Sequence, residues 1–274
     1  MPFKLSCLLA AASLIAPAAM AHDFWIEPET YTPEPGETVD LAVLTGHGED
    51  KADWPLAPHR VIGLRSVGPD GLVSHAKGPD SLELPAQLSF ESPGLHMAFI
   101  ETTNSFSSLE ADKFNDYLDE EGIRSIAADR AANRSQDKAG RELYSRRGKA
   151  LVKAGCAAPQ GEVWAQELGL TLEITALENP FDWQEGQPLT TKVFFHGAAV
   201  PSATLHVTAL EGDGEDFTVT TGPDGTADLG ENLAEGRWLV HTVWSEPALN
   251  LLEDADYQTV FSSLTFETED ACAD

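Results

Sequence analysis

Arg60-Val-Ile-Gly-Leu-Arg-Ser-Val67, Gly68-Pro69-Asp70-Gly71 and Leu72-Val-Ser-His-Ala76 form the stretch that decides the fold class. Two short runs carrying β-branched residues flank a tetrapeptide with Pro at its second position and Gly at its fourth, which is the chemistry of a tight turn. Outward from this hairpin the pattern repeats. Thr38–Thr45, Leu82–Phe90 and Leu95–Thr103 read as strands in the first half. In the second half Leu170–Leu177, Leu189–His196, Thr204–Leu210, Phe217–Thr221, Thr226–Leu229, Trp238–Trp244 and Ser262–Thr268 do the same. Short strands at such spacing predict a mostly β protein, with sandwiches or barrels as its units. Gly68-Pro69-Asp70-Gly71 recurs as Gly222-Pro223-Asp224-Gly225, and two further turn motifs recur in matching order. Two sandwiches of similar plan would produce this.

Between the halves the pattern changes. Glu110-Ala-Asp-Lys-Phe-Asn-Asp-Tyr-Leu118 places Phe114, Tyr117 and Leu118 at helical spacing. Nine of the 17 basic residues fall between Arg124 and Lys153, a distribution that suits a solvated helical face among acidic neighbours. The expected organisation is a signal peptide at 1–21 and an N-terminal β-sandwich over 22–160 with a helical insertion at about 108–154. A C-terminal Ig-like sandwich over 161–274 completes it.

The formal charge of −28 argues against nucleic acid and anionic lipid as partners, since both are held by basic surfaces. Lys4, the apolar run Leu5–Ala18 and Ala19-Met20-Ala21 fit a secretory leader with its small-residue cleavage site. Export to a periplasm is the expectation, with no membrane insertion after cleavage. Cys156 and Cys272 would survive processing, and an oxidising compartment permits them to pair.

No Gly-x-Ser-x-Gly, phosphate-binding Gly-rich loop or Cys-x-x-Cys occurs, so the eight histidines are the informative set. Cleavage after Ala21 would make His22 the first residue, and its α-amine and imidazole could chelate one ion together. His47 stands between Gly46 and Gly48, which leave its ring accessible. His96 opens an apolar strand after Pro93-Gly94. These three are the expected ligands, with Asp23 as an acceptor that orients an imidazole. His59 and His75, near turns, are weaker. His196, His206 and His241 fit no compact metal motif and read as structural or surface residues. A nitrogen-rich set suits nickel, cobalt, copper or zinc rather than calcium or magnesium.

Several runs carry a family resemblance: Ala21-His22-Asp23-Phe24-Trp25-Ile26-Glu27-Pro28, Pro35-Gly36-Glu37, Gly46-His47-Gly48, Tyr117-Leu118-Asp119-Glu120-Glu121-Gly122 and Ser263-Leu264-Thr265-Phe266-Glu267. In order and spacing they resemble the NikM-like nickel-uptake family, described as periplasmic components of cobalt or nickel ABC transport systems. The resemblance implies a β-rich exported fold (Ig-like or transthyretin-like sandwiches), a nickel or cobalt cargo and a membrane transporter component as partner. It also implies a histidine near the end of the strand beginning at Trp238, where this chain has Trp244. His241 lies three residues earlier, on the opposite face of a regular strand. Two other readings stay open: a copper histidine-brace redox enzyme and a non-metal Ig-like adhesion or scaffold module.

Overall fold

The computed structural model describes residues 23–47, 50–54, 58–75, 85–249, 253 and 255–268. The chain begins with β1 (Asp23–Pro28), β2 (Thr38–His47) and β3 (Asp50–Asp53). β4 (Val61–Gly68) and β5 (Gly71–Ser74) form the expected hairpin, with Gly68 opposite Gly71. β6 (Ala86–Ser89), β7 (Gly94–Thr102) and β8 (Ser105–Leu109) follow. Two helices, α1 (Ala111–Glu120) and α2 (Arg124–Ala132), precede the long strand β9 (Gly140–Ala154). After them come β10 (Leu172–Ala176), β11 (Thr190–Phe195), β12 (Ala198–Ala199) and β13 (Thr204–Gly212). β14 (Phe217–Thr220), β15 (Thr226–Asp228), β16 (Gly236–Pro247) and β17 (Tyr257–Glu267) complete the described chain.

The protein is mostly β, and its described residues form three sheets. A nine-stranded sheet runs β14-β13-β16-β17-β9-β7-β4-β5, with β8 beside β9. Its centre is a parallel pairing of β17 with β9, in which Ser263 stands level with Gly148. This pairing welds the two sequence halves into one continuous sheet. One four-stranded sheet holds β1, β2, β3 and β6, and the other holds β10, β11, β12 and β15.

Side-chain alternation along the long sheet assigns its two faces. On one face Ala98, Ile100, Ala150 and Val152 pack against Phe24, Ile26, Leu41 and Val43 of the first small sheet. On the other, Leu95, Met97, Leu151, Leu205, Trp238, Val240 and Leu264 pack against Leu172, Ile174, Leu189 and Val193 of the second. The strands β7 and β9 are therefore covered from both sides, which is why they read as almost continuously buried runs. The helices share the first face with the first small sheet. Phe114, Tyr117, Leu118 and Ile126 pack on Val243, Tyr257 and Phe261, and Phe114 stacks on Tyr257 at 5.5 Å.

The helical insertion is shorter than its composition suggests. Residues 140–154 form a strand, and Arg147, Lys149 and Lys153 on it are buried. Lys149 is fully buried and bonds Glu173 at 3.0 Å. The Arg146 guanidinium lies 4.7–5.7 Å from the rings of Tyr144, Phe261 and Phe24. Alternation of long basic stems with small residues hides the period of a buried strand. The repeated tetrapeptide also does two different jobs. Gly68–Gly71 closes a hairpin, whereas Gly222–Gly225 carries the chain from β14 in the long sheet to β15 in the second small sheet. Cys156 is disulfide-bonded, and Cys272 lies outside the described residues.

Candidate functional site

The first small sheet and the helices leave a cleft between them on their shared face of the long sheet. Asp23, His47, Glu120, Glu121, His206, Asp216, Phe217 and His241 are among its lining residues, and it encloses about 650 Å³. Asp23 is the first residue of β1 and stands opposite Gly46 of β2. Gly46 has φ +149°, and a Cβ there would fall 2.2 Å from the Asp50 carbonyl oxygen. β2 thus needs glycine at this position, and the next residue, His47, lies beside Asp23.

β13 and β16 supply the other wall. Their antiparallel register sets His206 directly opposite His241. The two rings stack with centroids 4.7 Å apart and planes 15° apart. Asp23 joins the walls: one carboxylate oxygen lies 3.4 Å from His47 Nδ1 and the other 3.3 Å from His241 Nε2. Beneath this cluster Trp25, Leu44 and Leu239 form a small buried apolar floor, which fixes the backbones that carry it.

Burial governs the electrostatics. Desolvation pushes the Asp23 carboxyl up to about 7. Glu121 is raised to about 8, first by burial and then by the charges of Asp23, Glu120 and Glu142. Glu142, below the helices, is raised to about 7 by burial. His206 is lowered by burial, and His241 falls well below the usual imidazole range because burial is joined by the neighbouring His206 and His47. Two neutral, buried imidazoles beside poorly stabilised carboxylates are a donor set short of a cation. Two of its atoms, His206 Nε2 and Glu121 Oε2, are buried without a hydrogen-bond partner, a condition that native structures rarely tolerate. The imidazole and carboxylate types suit nickel, cobalt, copper or zinc. Among the described residues no group of three or more His, Cys, Asp or Glu is already drawn close enough to hold a metal ion. A metal would therefore have to draw these side chains inward.

These shifts set the pH dependence of the metal-free fold. Asp23, Glu121 and Glu142 are acids whose folded pKa exceeds the unfolded value, so the native state binds extra protons between about 4 and about 8. Stability from these groups falls as pH rises through that window. The lowered histidines act oppositely, an effect that fades above the ordinary imidazole value of 6.5. From pH 6.5 to 8.5 the carboxylates dominate. The expected result is a melting temperature that drops over that interval without metal, and drops less in Asp23→Asn. Thermal scans across the interval check it, and a flat profile would contradict it.

Of the residues expected from sequence, Asp23 and His47 meet in the cleft, and His22 lies outside the described residues. His96 sits elsewhere. From β16 to β7 are three strand steps, about 14 Å, and His96 lies four residues along from the level of His241, about 13 Å more. It is 1% exposed, its Nε2 is 2.8 Å from the Ser92 carbonyl oxygen, and it packs against Phe90 at 4.8 Å. The expected convergence of His96 with His47 is thus corrected: its ring is a satisfied core group. His206 and His241 take the place beside His47. His241 does lie on the face opposite Trp244, as the strand period requires, but that is the face toward the cleft. Trp244 turns to the second small sheet, near Phe195. The sequence signal was the alternation Leu239-His241-Val243, whose apolar members are buried in the floor and under the helices.

The chain belongs to the family described as a domain of unknown function, DUF4198, which matches residues 19–246. No curated protein matches it significantly. Among solved structures it is similar to a tetra-tandem repeat from the extending region of a large adhesion protein, at 13% identity and TM-score 0.22. That match covers 90% of this chain and half of the other. The D0–D1 domain of intimin matches at 13% identity and TM-score 0.22, over 89% of this chain and 97% of that one. Latent PorU from Porphyromonas gingivalis matches at 9% identity and TM-score 0.21, over 95% and 22%. No described helix is long and apolar enough to cross a membrane.

Proposed function

We propose that this protein is an exported carrier of a divalent transition metal, nickel or cobalt, that supports uptake by a membrane transporter component. The observation that carries the reading is the Asp23 carboxylate held within 3.4 Å of imidazoles from both halves of the chain, His47 and His241, with His206 stacked behind. His47, His206 and His241 are the nitrogen donors, and Asp23 is either an oxygen donor or the acceptor that aims two rings. Leader cleavage after Ala21 would add the amine and imidazole of His22, whose Cα is bound by peptide geometry to within about 3.8 Å of that of Asp23. The halves are read as Ig-like or transthyretin-like sandwiches that share the long sheet, so the site sits at their seam. A change in their packing on loading would give a transporter something to recognise.

Binding only to the native state must raise stability. At free nickel 100 times its dissociation constant the gain is about 2.7 kcal/mol, or roughly 5–10 °C for a chain of this length. Melting scans of the processed protein with nickel, cobalt, copper and zinc test this. A scan that no metal moves would support the scaffold reading instead. Copper binding accompanied by copper-dependent peroxide consumption would support the redox enzyme.

A further inference from the structure

Glu121 is 6% exposed and lines the cleft, and its Oε2 has no hydrogen-bond partner. None of the ion pairs among the described residues includes it. Every neighbour makes its charge costly. It caps the C-terminal end of α1, where the helix dipole disfavours an anion. The Asp23, Glu120 and Glu142 carboxylates repel it further. Among the described residues no lysine or arginine lines the cleft. A carboxylate buried at such cost without a partner calls for an explanation.

The turn that carries it is not free to swing away. Gly122 has φ +66°, and a Cβ there would fall 2.1 Å from Thr204 Oγ1, so the turn is seated on β13 two residues before His206. Ile123, next to it, is buried in the cluster that the helices form with Val243, Tyr257 and Phe261. The Glu121 backbone also lies close to the His206 ring. The same turn thus borders one buried imidazole and presents one buried carboxylate to the cleft.

We propose that Glu121 is a direct oxygen ligand of the cation, delivered by the helical hairpin to complete the set formed by His47, His206 and His241. This rests on the metal-carrier reading and goes further by giving the insertion a task. The sandwiches bring nitrogen donors, and the hairpin brings a hard, anionic oxygen. Such a mixed nitrogen and oxygen set accommodates nickel, cobalt, copper or zinc, so geometry and supply decide which of them is carried.

The test compares the processed wild type, Glu121→Gln and His241→Ala, titrated calorimetrically with nickel chloride and spectroscopically with cobalt chloride. Glu121→Gln keeps the shape and removes the charge. Expected are a loss of nickel affinity of about tenfold or more and an altered cobalt d–d spectrum. The metal-free melting temperature should be unchanged or higher, since a buried unpaired carboxylate is gone. If Glu121→Gln fails to fold, Glu121→Asp, which retracts the carboxylate by one methylene, should show the same two changes. Unchanged affinity, or weaker binding with an unchanged spectrum, would overturn the assignment while leaving the carrier reading intact. A wild type that binds neither ion would overturn the carrier reading, and this one with it.

Discussion

Replacing His241 with alanine should cut nickel affinity by about 100-fold or more, with little change in the fold. The reasoning is geometric. His241 is the residue of the long sheet that Asp23 touches, at 3.3 Å, and it is the ring on which His206 stacks. Loss of a group that merely orients a ligand costs 10- to 100-fold in metal affinity, so loss of a central donor should cost at least the upper value. His241 is buried and neutral, held far below the ordinary imidazole range by burial and by two neighbouring histidines. It therefore presents a lone pair at neutral pH without first losing a proton, which is the state a metal needs. His96→Ala gives the contrast. It opens a cavity beside Phe90 and removes the bond to the Ser92 carbonyl, so it should lower the melting temperature and leave nickel affinity unchanged. Calorimetric titration of both variants checks the pair. An affinity loss in His96→Ala with none in His241→Ala would restore His96 as the ligand and remove His241.

The second large effect concerns stability. Lys149→Ala should destabilise the protein by about 3–5 kcal/mol, on the order of 10 °C in melting temperature. Lys149 lies on β9 with no exposure, and its Nζ bonds Glu173 of β10 at 3.0 Å. Glu173 also accepts from the backbone N–H groups of Leu168, Gly169 and Leu170. Its carboxylate is fixed in place and cannot follow the lost cation to water. Truncating the lysine leaves that charge buried beside only neutral donors. Lys149→Met paired with Glu173→Gln should recover much of the loss, because the charge goes with its partner and the volume is nearly kept. Chemical denaturation of the single and double variants measures it. Equal stability of wild type and Lys149→Ala would mean that β10 does not close over β9, and with it the layering of the second small sheet on the first half of the chain.

These two residues also show what the amino-acid order reveals by itself. The strands were legible because tight-turn chemistry such as Gly68-Pro69-Asp70-Gly71 brackets them, and α1 because Phe114, Tyr117 and Leu118 repeat at helical spacing. Lys149 was misleading: a cation in a basic run reads as surface, and only a partner 24 residues later makes it core. The site was half legible. Asp23 and His47 stand in a distinctive local context, one at the start of β1 and one between two glycines. His206 and His241 stand 35 positions apart, and nothing local marks them as neighbours. Their meeting depends on the register of β13 with β16. Their proximity to Asp23 depends on the β17–β9 pairing that closes the long sheet. Both are long-range properties that spacing does not encode. His96 erred the other way. A histidine opening an apolar strand looks like a ligand until the Ser92 carbonyl is found at its Nε2.

The continuous sheet also explains why a seam between halves can hold a precise site. Asp23 and His47 come from the first small sheet, His206 and His241 from the second half of the long one, and the Thr265 hydroxyl donates to the Ile26 carbonyl at 2.8 Å to pin one on the other. Donors set on rigid strands lose little further freedom on binding, and the remaining adjustment falls to side-chain torsions.

X-ray absorption at the nickel edge, on the processed protein loaded with one equivalent, tests the account most directly. The account predicts at least three imidazole nitrogens in the inner shell, reduced by one in His241→Ala. An inner shell of oxygens alone, or one identical in wild type and His241→Ala, would contradict it.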